Sequence, residues 1–214
     1  MITISRESRS YPTNLFGNIR GDSSGLKLRE ALKSQSIRDP LTHLYNRRYM
    51  EESLEREMHR CNRAGNGLGV IMSDVDHFKK FNDDYGHDAG DVVLVEFANL
   101  LNVYFRDSDI VCRYGGEEFI IIVPEAPKEI VLKRAQGVCE EIRDLEIIHG
   151  GKVLPSITAS FGVAYMDGEL DKGITLIKAA DMSLYEAKNA GRNQVVMSKT
   201  SFNKRKNTTE QNFE

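Results

Sequence analysis

The stretch Arg113-Tyr114-Gly115-Gly116-Glu117-Glu118-Phe119 lies between two apolar runs, Ile110-Val111-Cys112 and Phe119-Ile120-Ile121-Ile122-Val123. Two β-rich runs joined through a glycine pair predict a β-hairpin. Glycine adopts positive φ without steric penalty and has no side chain to keep a ligand off the backbone. Two carboxylates follow the turn directly, which turn formation alone does not require. A tight turn that brings backbone and carboxylates to one point suits a metal-bound phosphate. Taken by itself, Gly-Gly-Glu-Glu also fits an ordinary surface hairpin, so its reading depends on the rest of the chain.

A second segment converges on the same chemistry. Leu68-Gly69-Val70-Ile71-Met72-Ser73 reads as a buried strand that ends in Asp74-Val75-Asp76, and a short helix is expected in the residues that follow, from His77 toward Asp91. Carboxylates at the carboxyl end of a strand sit where α/β sheets usually bind ligands. Asp76 alone is explained as the N-cap of the next helix; Asp74 is not.

Together these residues resemble the GGDEF-domain family of diguanylate cyclases, in its GGEEF variant. The resemblance covers roughly residues 39 to 196 in four ordered blocks: Asp39-Pro40-Leu41-Thr42-His43-Leu44-Tyr45-Asn46-Arg47, Asp74 to Asp91, Arg113 to Phe119, and Ala180 to Asn193. One departure is His43, which stands where the family usually has glycine and is expected to have a local effect only.

Composition allows this reading. The 214 residues suit one domain with extensions, and 40% hydrophobic and 29% charged content is that of a globular protein. A net charge of −3 gives no electrostatic case for general nucleic-acid binding. Cys61, Cys112 and Cys139 follow no zinc or redox spacing. Their odd number and the lack of a signal peptide point to a reducing cytoplasm, and no apolar run is long enough to cross a bilayer.

Residues 1–25 are expected to be a disordered leader or one added for expression, 26–38 a linker helix, 39–198 the catalytic domain and 199–214 a flexible tail. In the family such a linker helix follows a sensor domain, and none is recognisable here. Helices are expected at about Arg48–Arg63, Val92–Tyr104, Lys128–Arg143 and Ile174–Ala190. Strands are expected at Leu68–Ser73, in the hairpin, within Val153–Ala164 and at Gln194–Met197, with Pro155 and Gly162 limiting regularity. This order predicts an α/β (α+β) fold, a central mixed sheet with a βαββαβ core flanked by helices; the resemblance makes it nucleotidyl-cyclase-like.

The resemblance implies that two GTP are condensed into cyclic di-GMP with release of two pyrophosphates. It also implies an antiparallel homodimer, in which each 3′-hydroxyl attacks the α-phosphate of the other GTP. Mg²⁺, with Mn²⁺ as the alternative, is the implied metal, because it takes carboxylates together with phosphate oxygens. Asp74, Glu117 and the Val75 carbonyl are the implied ligands, and Glu117 is also expected to assist deprotonation. Glu118 is expected, from strand alternation, to point to the opposite face and to act less directly. Backbone N–H groups near His77 and Phe78 open a short helix and favour anions, while Lys79 is expected to stabilise developing charge and Lys80 to be plain surface. Lys188 and Arg192, four apart near a helix end, are expected to project together onto the β- and γ-phosphates. Asn82 and Asp91 match the guanine-reading positions, although alone they read as a helix terminator and an N-cap. Phe78 and Leu94 are expected as pocket walls, and His87 as a structural residue. Arg106 and Asp109 match the family's product-inhibition site for cyclic di-GMP, with Arg134 the nearest second arginine. The alternative class is an inactive regulator that binds GTP or cyclic di-GMP.

Overall fold

The computed structural model describes residues 37–167 and 173–200, and the backbone of 202–203. The expected leader, all but the last two residues of the linker helix, and most of the tail lie outside the described residues.

The architecture is a mixed sheet between two helical layers. Strand β1 is Tyr45–Asn46, β2 Leu68–Val75, β3 Ile110–Gly115, β4 Glu118–Pro124, β7 Ala159–Asp167, β8 Val195–Met197 and β9 Phe202–Asn203. The sheet order is β1-β3-β4-β2-β7-β8, with β9 also pairing β7. The three central strands run antiparallel: β2 pairs with β4 on one side and β7 on the other. Parallel pairs form at the edges, β1 with β3 and β7 with β8 and β9. This is the expected βαββαβ core, with β4 inserted between β2 and β3.

The five α-helices among the described residues are α1 Arg47–Ala64, α2 Phe78–Tyr85, α3 His87–Tyr104, α4 Lys128–Glu141 and α5 Gly173–Asn189. Alternation along β2 sorts the two faces. Leu68, Val70 and Met72 pack with Met50, Leu54 and Met58 of α1 and with Leu176, Ala180 and Leu184 of α5. Ile71 and Val75 face Phe97 and Leu101 of α3 and Val131 and Val138 of α4. Phe97 meets Phe119 edge-on, with ring centroids 5.0 Å apart. Fully burying each such side chain contributes roughly 1.5–3 kcal/mol, so both helical layers are held by their apolar stripes.

Several boundaries differ from the sequence expectation. Strand β2 continues through Asp74 and Val75 because both are paired: Asp74 lies opposite Glu118 and Ser160, and Val75 opposite Ala159. Helix α3 begins at His87 rather than Val92, since Gly86 at φ 87° turns the chain straight from α2 into α3. Helix α4 stops at Glu141 and a 3₁₀ turn, Ile142–Asp144, follows. The region Val153–Ala164 is not one strand. Lys152–Val153 (β6) pairs with Ile148–His149 (β5) in a separate hairpin, and β7 starts only at Ala159. Gly162 does not interrupt β7; a Cβ there would collide with the Ala180 carbonyl and the Leu184 amide of α5. The glycine is the point where helix and sheet backbones touch. Phe202–Asn203 falls in the expected tail yet pairs with Met166–Asp167.

Candidate active site

The carboxyl end of β2 meets the Gly115–Gly116 turn. The β3–β4 pairing shifts register between Arg113 and Gly115, and Gly116 takes φ 53° with nothing within 4 Å of where a Cβ would stand. The turn is therefore open on its outer side. Arg113 braces it from within: Nε donates to the Gly116 carbonyl at 2.9 Å, and Nη1 reaches Asp39 Oδ1 at 3.2 Å. Asp39 in turn accepts from the Thr42 amide and hydroxyl, and these bonds together with Arg113 hold its carboxyl below the usual range although burial opposes them. His43 has φ 58°, a left-handed conformation that glycine adopts without steric penalty.

Asp74 is buried, 7% exposed, and its Oδ2 lies 2.7 Å from Lys188 Nζ. Burial raises its pKa; the Lys188 ammonium opposes that rise, and the Glu117 and Asp76 charges add to it. The Val75 amide donates to the Glu117 carbonyl at 3.3 Å, which draws the turn against the strand end. Glu117 lies in the turn rather than in β4, so strand alternation does not set Glu118 apart. The register instead places Glu118 directly opposite Asp74, and cross-strand partners share a face. Burial and then the Asp74 charge raise the Glu118 pKa. Three carboxylates thus crowd one strand end, with one lysine among them.

Asp76 is not an N-cap. His77 occupies that position at φ 57° without a side-chain capping bond. Asp76 accepts instead from Ser160 Oγ and Thr158 Oγ1, each at 2.7 Å, and from the Asn193 amide at 3.0 Å. Helix α2 starts directly after His77, and its first backbone bond runs from the Phe81 amide to the His77 carbonyl. The amides of the opening turn have no earlier carbonyl to bond, as at any helix start. Lys79 and Lys80 are both exposed, so burial does not separate them.

Asn82 sits in a niche between α2 and α3. Its Oδ1 is buried and has no hydrogen-bond partner, a state that proteins seldom leave uncompensated. Gly90 makes the niche: a Cβ there would collide with Oδ1 and come within 3.1 Å of Phe78 Cζ. Phe78 and Leu94 are both buried in the adjoining core. Asp91 lies inside α3, exposed, and is not an N-cap; His87 opens that helix at the surface. Gly90 was not among the expected functional residues; its only sequence signal is a glycine within a helical pattern.

Lys188 lies in the last turn of α5, but Arg192 lies beyond its end, exposed and at φ 64°. The helical i,i+4 argument therefore does not apply to this pair. At the far end of α3, Asp109 Oδ2 accepts from the Arg106 amide at 2.8 Å and from Arg134 Nη1 at 2.6 Å. Arg106 itself projects outward and, with Arg38, Tyr45, Phe105 and Asp109, lines a cavity of about 370 Å³.

These features define an α/β protein with a carboxylate–lysine site at the ends of its central strands, flanked by a polar niche. The chain belongs to the GGDEF-domain family: the family described as diguanylate cyclase, GGDEF domain, matches residues 36–194. It is 40% identical over 163 residues to the response regulator PleD of Caulobacter vibrioides, covering 75% of this chain and 36% of that protein. It is 32% identical over 203 residues to diguanylate cyclase A of Treponema denticola, covering 94% of this chain and 54% of that protein. The chain thus spans only part of the length of these curated relatives. Among solved structures, the coiled coil and GGDEF domain of DgcB from Caulobacter crescentus in complex with c-di-GMP superimposes with a TM-score of 0.75 at 29% identity, covering 82% of this chain and 94% of that one. No helix among the described residues is long and apolar enough to cross a membrane.

Proposed function

We propose that the chain is a diguanylate cyclase domain, acting in the cytoplasm as a homodimer to condense two GTP into cyclic di-GMP. The observation that carries this reading is the strand end itself. Buried Asp74 faces Glu118 across the pair, Glu117 abuts Val75, and Lys188 supplies a close cation.

The donor set fits Mg²⁺ or Mn²⁺. Such hard ions take one or two carboxylates and fill the remaining positions with water and phosphate oxygens. That matches Asp74, Glu117 and the Val75 carbonyl better than an all-protein cage. The ion, when bound, supplies charge neutralisation on the phosphate and acidifies the attacking hydroxyl.

The chain's own residues supply the rest. Amides at the start of α2, beside His77 and Phe78, receive phosphate oxygens, and Lys79 adds positive charge as the transition state forms. Lys188 and Arg192 hold the β- and γ-phosphates. Asn82 and Asp91 read guanine, whose N–H groups give the orphaned Asn82 Oδ1 a donor. Glu117 accepts the proton from the 3′-hydroxyl. The new P–O ester forms as the bond to the bridging oxygen breaks, and pyrophosphate leaves with the electron pair. Two half-sites must face each other, because each holds one nucleotide. Arg106, with Asp109 behind it, is the proposed product-binding site.

Incubation with GTP and Mg²⁺, followed by mass identification of products, tests this reading. Cyclic di-GMP and two pyrophosphates per product are expected, with an initial rate that rises faster than linearly with protein concentration. Tight GTP binding without product would leave only a nucleotide-binding regulator.

A further inference from the structure

The Asp76 carboxylate joins two segments distant in sequence. Thr158 directly precedes β7 and Ser160 lies at its start, whereas Asn193 comes from the loop after α5. That loop has an unusual backbone: Gly191, Arg192 and Asn193 have φ of 112°, 64° and 48° in succession. Two adjacent non-glycine residues in the left-handed region are disfavoured and persist only where surrounding contacts impose them.

The imposing contacts are visible. Arg143, in the 3₁₀ turn after α4, donates Nε to Asn193 Oδ1 at 2.8 Å and Nη2 to the Asn193 carbonyl at 3.4 Å. The Arg192 amide and Gln194 Nε2 both bond the Ala187 carbonyl at 3.0 Å. Every one of these bonds holds the backbone of the loop or a neighbour of Arg192. None uses the Arg192 guanidinium.

We propose that Asp76 and Arg143 are positioning residues that clamp Asn193 and thereby aim Arg192 at the β- and γ-phosphates of the nucleotide. The inference rests on the function proposed above. Asp76 is two residues beyond Asp74 on the same strand end, so the clamp references Arg192 directly to the strand that carries the acidic site. A loop free to relax toward ordinary φ would move the guanidinium away from that frame, and small displacements at a reacting phosphate are costly.

The test compares affinities, by calorimetry with Mg²⁺, for a non-hydrolysable GTP analogue and for GMP, which lacks the β- and γ-phosphates. Arg143 is exposed, so Arg143→Ala leaves the core untouched and guards against misfolding of Asp76→Asn. Both variants are expected to bind the GTP analogue about tenfold more weakly while GMP affinity stays unchanged, with Arg143→Lys recovering part of the loss. Equal weakening for both ligands, or none for either, overturns the clamp. Arg192→Ala separates the two levels. If it keeps the preference for the GTP analogue, the phosphate role of Arg192 fails and the proposal with it. If it loses that preference while Arg143→Ala and Asp76→Asn retain it, the clamp alone is overturned.

Discussion

Lys188 Nζ lies 2.7 Å from Asp74 Oδ2, so the lysine proposed for phosphate neutralises the carboxylate proposed for metal. A buried carboxylate without a counter-charge is unfavourable, and the Lys188 ammonium supplies that charge. Metal arriving alone must compete with it; metal arriving with a triphosphate gives the lysine a new partner. Lys188→Ala is therefore expected to tighten nucleotide-free Mn²⁺ binding several-fold while turnover falls about a hundredfold. Mn²⁺ titration by electron paramagnetic resonance checks the first effect and steady-state rates the second. Unchanged or weaker Mn²⁺ binding would remove the competition argument.

What the sequence showed depended on how local the cause was. The β2 run, the hairpin and the helical stripes follow from hydrophobic period and a glycine pair, and all appear in the structure. The last two residues of β2 were missed because pairing with β4 and β7 extends the strand through Asp74 and Val75. Asp76 looked like an N-cap because an Asp precedes a helix; its three donors lie 82, 84 and 117 residues away. The i,i+4 argument for Lys188 and Arg192 carries helical spacing past the helix end at Asn189, and Gly191 at φ 112° stands between them. The Asn82 niche depends on a missing Cβ at Gly90, a packing fact that composition does not reveal.

Gly162 sets how closely α5, and so Lys188, approaches the sheet. Gly162→Ala places a methyl against the Ala180 carbonyl and Leu184 amide, both backbone atoms that cannot rotate away. A loss of about 3 kcal/mol is expected, read as a lowered urea midpoint with unchanged slope. A stability change below the error of the melt would show that helix and sheet separate freely.

His43 holds a left-handed conformation at an exposed position. Left-handed backbone disfavours L-residues by roughly 1–2 kcal/mol, part of which glycine returns through its greater unfolded-state freedom. His43→Gly is expected to raise Tm by about 2–4 °C with activity unchanged. A lowered Tm would mean that the His43 side chain makes a stabilising contact.

Asp109 is buried to 2% side-chain exposure beside Arg134 at 13%. Burial raises its pKa, while the Arg106 amide and the Arg134 guanidinium oppose the rise. A carboxyl with a raised folded pKa binds more protons folded than unfolded, so its favourable contribution is complete below the unfolded value near 3.8 and is lost as pH rises through the folded one. Arg134→Ala removes an opposing charge and pushes the folded pKa higher. The variant should lose about 3 kcal/mol at neutral pH and recover part of it as pH falls toward 5. Urea melts at both pH values check this; an equal loss at each would mean that Arg134 acts through packing alone.

The same geometry decides how product feedback should be probed. Asp109 is committed to the Arg106 amide and to Arg134, so substituting it perturbs the fold and any inhibition together. Arg106 joins that arrangement through its backbone, its amide donating to Asp109 Oδ2 and its carbonyl accepting from the Asp109 amide, and its residue is exposed beside the cavity. Arg106→Ala keeps the amide and removes a guanidinium able to stack on guanine and meet a phosphate charge. The expected result is initial turnover within about twofold of wild type and a product-inhibition constant raised about tenfold or more. Progress curves with added cyclic di-GMP read both quantities. If the variant is inhibited as strongly as the wild type, feedback lies elsewhere; if neither is inhibited, Arg106 and Asp109 form only a structural turn.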